Sequence, residues 1–284
     1  MDVQWALVFF TLFTGLGVGL FVAVVATEWW GKAETVRFPA AVTALVALAI
    51  GGVASLLHLG HPDRIFGALG HPTSGIFIEM LFIGLAGIGI IVYLVMLKRG
   101  SSDVSRKAVA TVTAVPAVVL SFTVGNTYVM ASRPAWDTLI LPLAYVATAA
   151  VMGCAALTLF AAVKEDAEST GRVARALLIS LAVQLVLVIA YVASLTWAPF
   201  PDTSRSASRV LTGSLAPLFW AGLVLLGLAV PAVVAYLLRA KKEGGLSPRT
   251  GAAIGLASVL AGGIAFRALM FALGSGVDNF FSNL

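Results

Sequence analysis

Charged side chains are scarce in this chain. Asp, Glu, Lys and Arg make up 11% of its 284 residues, against 60% hydrophobic. A soluble globular domain carries about 25% charged residues. So sparse a set cannot clothe a water-facing surface of this size, and a soluble fold is excluded. Cysteine is rarer still. The single one, Cys154, sits inside an apolar block, which excludes an intrachain disulfide and a cysteine-held iron–sulfur cluster. Histidine occurs three times, at His58, His61 and His71. The opening Met1-Asp2-Val3-Gln4-Trp5 lacks the basic stretch of a cleavable signal peptide, so the first apolar block is expected to remain as a helix. The polar–apolar alternation of a membrane β-barrel is missing too.

What the chain has instead is a series of apolar blocks of about 20 residues or more, the length at which a helix crosses the hydrocarbon core of a bilayer. The pattern predicts an all-α integral membrane protein, a single transmembrane domain over 1–284. Eight transmembrane helices are expected, at about 5–27, 38–57, 75–97, 108–130, 138–163, 173–195, 211–238 and 250–273. Eight crossings put both termini on one side. The loops then sort by charge. One side carries thirteen basic residues: Lys32, Arg37, Lys98, Arg99, Arg106, Lys107, Lys164, Arg172, Arg175, Arg239, Lys241, Lys242 and Arg249. The other carries four, Arg64, Arg133, Arg205 and Arg209. The basic side is the cytoplasmic one by the positive-inside rule. Both termini are therefore expected to be extracytoplasmic, and so are the histidines. The net charge of +5 follows from this topology and does not suggest nucleic acid.

The stretch that stands out is Ser55-Leu56-Leu57-His58-Leu59-Gly60-His61-Pro62-Asp63-Arg64, which joins the second and third apolar blocks. Glu79 follows about one turn into the third. Antiparallel packing of these two helices brings His58 and Glu79 to one depth near the outer face. An imidazole can take or release a proton near neutral pH, and a carboxylate within a membrane segment is costly and calls for a function or a partner. Such a pair suits a substrate whose protons and electrons move together, a quinone headgroup being one example. The plainer alternative for His58 is a helix cap. Asp63 and Arg64 either pair locally or orient His58. His61 and His71 precede prolines in an exposed connection. A zinc site is not expected, because Pro62 breaks the helical spacing after His61 and no further ligands follow. Haem held by two histidines is not expected either, since helices 1 and 4–8 contain none.

Arg267, inside the last apolar block, either snorkels outward or pairs with Glu79, Asp63 or a bound headgroup. Asn126, Tyr128 and Gln184 are further hydrogen-bond candidates, with Gln184 read as helix–helix glue. Glu28, at the end of the first helix, is read as an interfacial carboxylate.

The segment Ser55-Leu56-Leu57-His58-Leu59-Gly60 followed by His61-Pro62-Asp63-Arg64-Ile65-Phe66 resembles the dimethyl sulfoxide reductase membrane-anchor family, within the broader polysulfide/nitrite-reductase-type quinol-interacting membrane subunits. The recognisable motif covers about residues 53–80, and the helix count and length agree over the whole chain. The resemblance implies a three-subunit enzyme of the prokaryotic cytoplasmic membrane, working in anaerobic respiration. A large subunit with a molybdenum or tungsten bis-pterin cofactor acts on the terminal substrate, and a four-cluster iron–sulfur subunit carries electrons. The anchor, with no haem or iron–sulfur cluster of its own, binds and oxidises menaquinol. By the same resemblance the menaquinol-binding histidine maps to His58 and the associated glutamate to Glu79, with Arg267 matching a basic residue of the last helix. His61 adds a histidine beside the motif. Asp63, Arg64 and His61 complete the expected ligand-binding set around His58, Glu79 and Arg267. Three alternatives stay open: a quinone-reducing anchor for an oxidising molybdoenzyme, a purely structural anchor, and a secondary transporter. A transporter would be expected to pair ionisable groups at mid-membrane, whereas here they gather near one face.

Overall fold

A computed structural model describes residues 3–57, 67, 69–164, 166–197, 201–240 and 246–273, with the side chains of 201 and 202 left aside. The described elements are helical. They are α1 (Trp5–Trp30), α2 (Glu34–Leu56), α3 (Gly75–Lys98), α4 (Asp103–Asn126), α5 (Ile140–Val163), α6 (Ala167–Thr196), α7 (Pro201–Leu211), a wide-turned π-helical stretch (Leu218–Ala229) that continues as α8 (Val230–Ala240), and α9 (Pro248–Leu273). Eight of these helical runs, counting the π-helical stretch with α8 as one, are long and apolar enough to cross a membrane.

Several helices begin earlier than the apolar blocks suggest. α2 starts at Glu34, α4 at Asp103 and α6 at Ala167, each within the charged connection before its block. Capping explains the last two. The Ser102 hydroxyl accepts from Ser105 N, and an Asp166 carboxylate oxygen accepts from Ser169 N at 2.8 Å, so each connection starts its helix before hydrophobicity does. The expected seventh helix, 211–238, is different in kind. The polar connection before it holds α7, with Pro201 at its first position, where no amide donor is missed. The span itself runs Leu218–Ala240, with π-type bonding in its first half. Val230 N donates to Leu225 O, five residues back. Continuing that register, Pro231 would have to donate to Leu226 O and has no N–H. The Ser258 hydroxyl from α9 supplies the bond to Leu226 O instead, as a backbone carbonyl within a membrane requires.

The neighbours form two cycles of four. α1 packs on α2, α2 on α3, α3 on α4, and α4 returns to α1. In the second half α5 packs on α6, α6 on α8, the π-helical stretch and α8 on α9, and α9 returns to α5. The halves meet along α1 and α5, with α4 against α5 and α9 against α1. The α1–α5 crossing is made backbone to backbone. A Cβ on Gly19 would fall on the Ala149 carbonyl, and one on Gly153 would fall on the Gly19 carbonyl group. Gly227 and Gly262 make a similar approach between the π-helical stretch and α9. Small residues at such crossings are how membrane helices gain packing without a hydrophobic driving force between them.

The ends of the helices sort into two sets. At one end, Lys32 pairs with Glu168 at 3.5 Å and Arg249 donates to Val163 O at 3.2 Å. Glu28 lies at this end and is 1% exposed, so it is a buried hub and not the interfacial carboxylate expected. Its oxygens meet Arg37 at 3.1 Å, Arg106 at 3.4 Å and the Tyr93 hydroxyl at 2.7 Å, joining α1, α2, α3 and α4. At the other end, Trp136 Nε1 donates to Met270 O at 2.8 Å and the Tyr191 hydroxyl to Ala135 O at 2.8 Å. Glu79 belongs to this second end.

Candidate functional site

α3 is lipid-facing around most of its circumference. Its buried residues are Glu79, Ala86, Ile90 and Tyr93, a stripe at helical spacing. The Ser74 hydroxyl caps the helix by accepting from Phe77 N at 3.2 Å, and Glu79 falls in the second turn. Its carboxylate is 9% exposed. One oxygen, Oε1, accepts from the Thr127 hydroxyl at 2.9 Å at the C-terminal end of α4. The other has no partner among the described residues. No cation among the described residues reaches Glu79, in contrast to Glu28 with its two arginines.

Beyond Thr127, the Tyr128 ring forms the floor. It stacks on Tyr145 with centroids 6.1 Å apart and meets Trp136 and Phe271 edge-on at 5.6 and 5.7 Å. The Tyr128 side chain is buried, yet its hydroxyl makes no hydrogen bond to a described residue. Glu79 lies within electrostatic reach of both tyrosines. The connection after α4 is locked in place here, since Arg133 lies 4.4 Å over the Trp136 ring.

Arg267 sits behind this floor. It is fully buried, so it does not snorkel. Its Nε donates to Thr11 Oγ1 at 2.7 Å, Nη2 to Thr11 O at 2.9 Å and Nη1 to Gly263 O at 2.9 Å. Its guanidinium lies 5.2 Å over the Tyr145 ring. It forms no ion pair with Glu79, and no described carboxylate neutralises it. Tyr145 in turn donates to Met270 Sδ at 3.1 Å and reaches Thr11. A line of contacts therefore runs from Glu79 through Thr127, Tyr128 and Tyr145 to Arg267.

His58, His61, Asp63 and Arg64 lie outside the described residues. α2 leads to the first of them: it ends at Leu56, on the membrane side where Glu79 begins α3. His71 is exposed. Asn126 is also exposed, while Gln184 bridges to α5 by accepting from the Thr148 hydroxyl at 3.1 Å. Sequence reasoning passed over Thr11, Thr127, Trp136, Tyr145 and Phe271. Their shared signal was position: all lie at the same end of the bundle in an up-and-down count of helices.

An apolar recess of about 470 Å³, open mouth included, lies between α5, α6, α7, the π-helical stretch and α9. Its polar tip is Tyr191, whose hydroxyl is already bonded to Ala135 O. Among the described residues it offers no free hydrogen-bonding group to orient a headgroup, which leaves Glu79 as the candidate.

The comparison with known families gives one assignment. The family model described as DMSO reductase anchor subunit (DmsC) matches residues 1–273. The chain belongs to the DMSO reductase anchor subunit (DmsC) family. No curated protein matches this DmsC-family chain. Among solved structures, the bd oxidase from Geobacillus thermodenitrificans contains a chain similar to it, with a TM-score of 0.68 at 12% identity, covering 96% of this chain and 86% of that one. At that identity the likeness is one of fold. The DmsC-family chain is thus a multi-pass membrane anchor of a respiratory oxidoreductase complex.

Proposed function

We propose that this anchor binds and oxidises menaquinol at the Glu79 end of the bundle and passes the electrons to an iron–sulfur partner subunit. That partner hands them to a molybdenum or tungsten bis-pterin subunit reducing the terminal substrate. The observation that carries this reading is Glu79 itself: a carboxylate on the buried stripe of a lipid-facing helix, held among the described residues by one hydroxyl, on one of its two oxygens.

The residues present fit a quinol. Thr127 holds Glu79 Oε1, so Oε2 is the oxygen turned to a ligand hydroxyl, and the unengaged Tyr128 hydroxyl offers a second contact. The exposed apolar side chains Val53 and Leu57 on α2 and Ile76 and Leu81 on α3 give the ring and tail a route in from the lipid. His58, which follows α2 in the chain, takes or relays one of the two protons released, with His61, Asp63 and Arg64 as further candidates for that relay. The two electrons leave singly to the nearest cluster. Arg267 places a positive charge behind Tyr145 and Tyr128, where it favours an anionic form of the ligand during oxidation. The positive-inside distribution puts this end, and both termini, outside the cytoplasm.

Positioned acid–base groups contribute about 10²- to 10⁴-fold. In the intact complex, Glu79→Gln is expected to slow quinol-dependent reduction of the partner's clusters by about a hundredfold. Turnover driven by a donor that reduces those clusters directly should be unchanged. Wild-type quinol-dependent rates in both Glu79→Gln and His58→Ala would leave a purely structural anchor as the better reading.

A further inference from the structure

At the basic end of the bundle, opposite to Glu79, an open recess lies between the start of α6 and the end of α8. It is lined by Ala167, Glu168, Gly171, Arg172, Arg175 and Arg239. Three arginines face one glutamate. Glu168 is already engaged, with Arg172 at 3.2 Å and Lys32 at 3.5 Å. Arg175 and Arg239 are exposed and form no ion pair with a described residue. Among the described residues the one anion of the recess, Glu168, is thus taken by other partners, and Arg175 and Arg239 share the space that the small Ala167 and Gly171 keep open.

The recess also sits at a defined depth. The apolar run of α6 begins just after Arg175, and that of α8 ends just before Arg239. One turn toward the membrane from each arginine, Ile179 is 62% and Tyr236 is 54% exposed. Beside the arginines and these exposed side chains, the two helices contribute Ala174, Leu177 and Ala235 to one buried cluster. A cationic recess above an exposed apolar face, between two membrane helices, matches a molecule with an anionic phosphate head and a hydrocarbon chain. Basic pockets between membrane helices on the cytoplasmic side bind acidic lipid headgroups on this principle.

We infer that the α6–α8 recess is a binding site for an anionic phospholipid, its phosphate held by Arg175 and Arg239 with Arg172 beside them, and an acyl chain lying against Ile179 and Tyr236. The shared chemistry is the phosphate, and a free phosphate ion is the competing source. The site is remote from Glu79 and does not rest on the quinol reading.

The test uses the purified intact complex with the double variant Arg175→Gln, Arg239→Gln, and counts bound lipids by native mass spectrometry during titration with phosphatidylglycerol or phosphatidylcholine. Each basic residue near a membrane surface strengthens binding of acidic lipid by about fivefold, so removing two is expected to weaken phosphatidylglycerol retention by about thirtyfold. Phosphatidylcholine retention should not change. A second double variant, Lys98→Gln, Arg99→Gln, removes the same charge from the same face and should retain phosphatidylglycerol as the parent does. Equal loss in both double variants would reduce the effect to net charge and overturn the site. Equal retention by the parent and the Arg175/Arg239 variant would also overturn it. Displacement of the lipid by millimolar inorganic phosphate would assign the recess to the free ion.

Discussion

Two buried carboxylates sit at opposite ends of this molecule, and their surroundings differ in kind. Glu28 is saturated by Arg37, Arg106 and Tyr93, which reads as structure: removing either arginine would leave a buried charge short of partners. Glu79 has one neutral donor among the described residues, which fits the proposed ligand site. Arg267 is a further buried ion, balanced by oxygen dipoles and a ring. Replacing a buried ion by an apolar residue of similar length is often neutral for stability, whereas activity suffers if the charge is used. Arg267→Met is therefore expected to keep its thermal unfolding midpoint in detergent within a few degrees of the parent, and to lose about tenfold in quinol-dependent turnover, about 1.4 kcal/mol in the barrier. Arg267→Lys should recover part of that rate. A variant that unfolds early and turns over normally would make Arg267 a packing residue. Of these ions, the burial of Glu79 and Arg267 was legible in the sequence, because both lie inside apolar blocks. Glu28 was not, because a residue at the end of a block looks the same whether water or two distant arginines receive it.

At the scale of the element, the apolar blocks located every membrane helix but not where each one starts. Hydropathy marks what the bilayer covers, while Ser102 and Asp166 start α4 and α6 through hydrogen bonds that carry no hydropathy signal. The π-helical stretch was hidden for a related reason, since its released carbonyl is satisfied by Ser258 from another helix. α1 carries Gly15, Gly17 and Gly19, and hydropathy does not say which of them meets another backbone. Gly153→Ala would drive a methyl group into the Gly19 backbone, and overpacking of this kind costs about 1–3 kcal/mol. Gly52 has open space around its Cβ position, so Gly52→Ala should be neutral or stabilise by up to about 1 kcal/mol through helix propensity. Denaturation of the two variants side by side in one detergent checks the pair. A Gly153→Ala variant as stable as Gly52→Ala would contradict the backbone crossing.

For the whole molecule, the eight spans follow from length and composition, and the pairing of loop ends agrees with an up-and-down order. The direction across the membrane rests on charge. In a Cys154→Ala background, His71→Cys and Asn126→Cys are expected to react with a membrane-impermeant maleimide added to intact spheroplasts. Ser101→Cys should react only after lysis. The reverse labelling pattern would place Glu79 on the cytoplasmic side and turn the proposed proton release inward. The two cycles of four helices were not legible, because they lie in which helices touch and leave no repeat strong enough to read along the chain.

The backbone contact between Gly19 and Gly153 has a consequence for motion. Packed interfaces switch between states when side chains can interdigitate in two ways. Where two main chains touch directly there is no rotamer to exchange, so the halves of this bundle lack a second seating at that point. Alternating access, which requires one half to rock against the other, would have to open the tightest contact in the molecule. The chain is better suited to act as a rigid mount. Under the proposed function, fixed halves would keep the gap between a ligand at Glu79 and the partner's cluster constant from one turnover to the next, and in electron transfer that gap sets the rate.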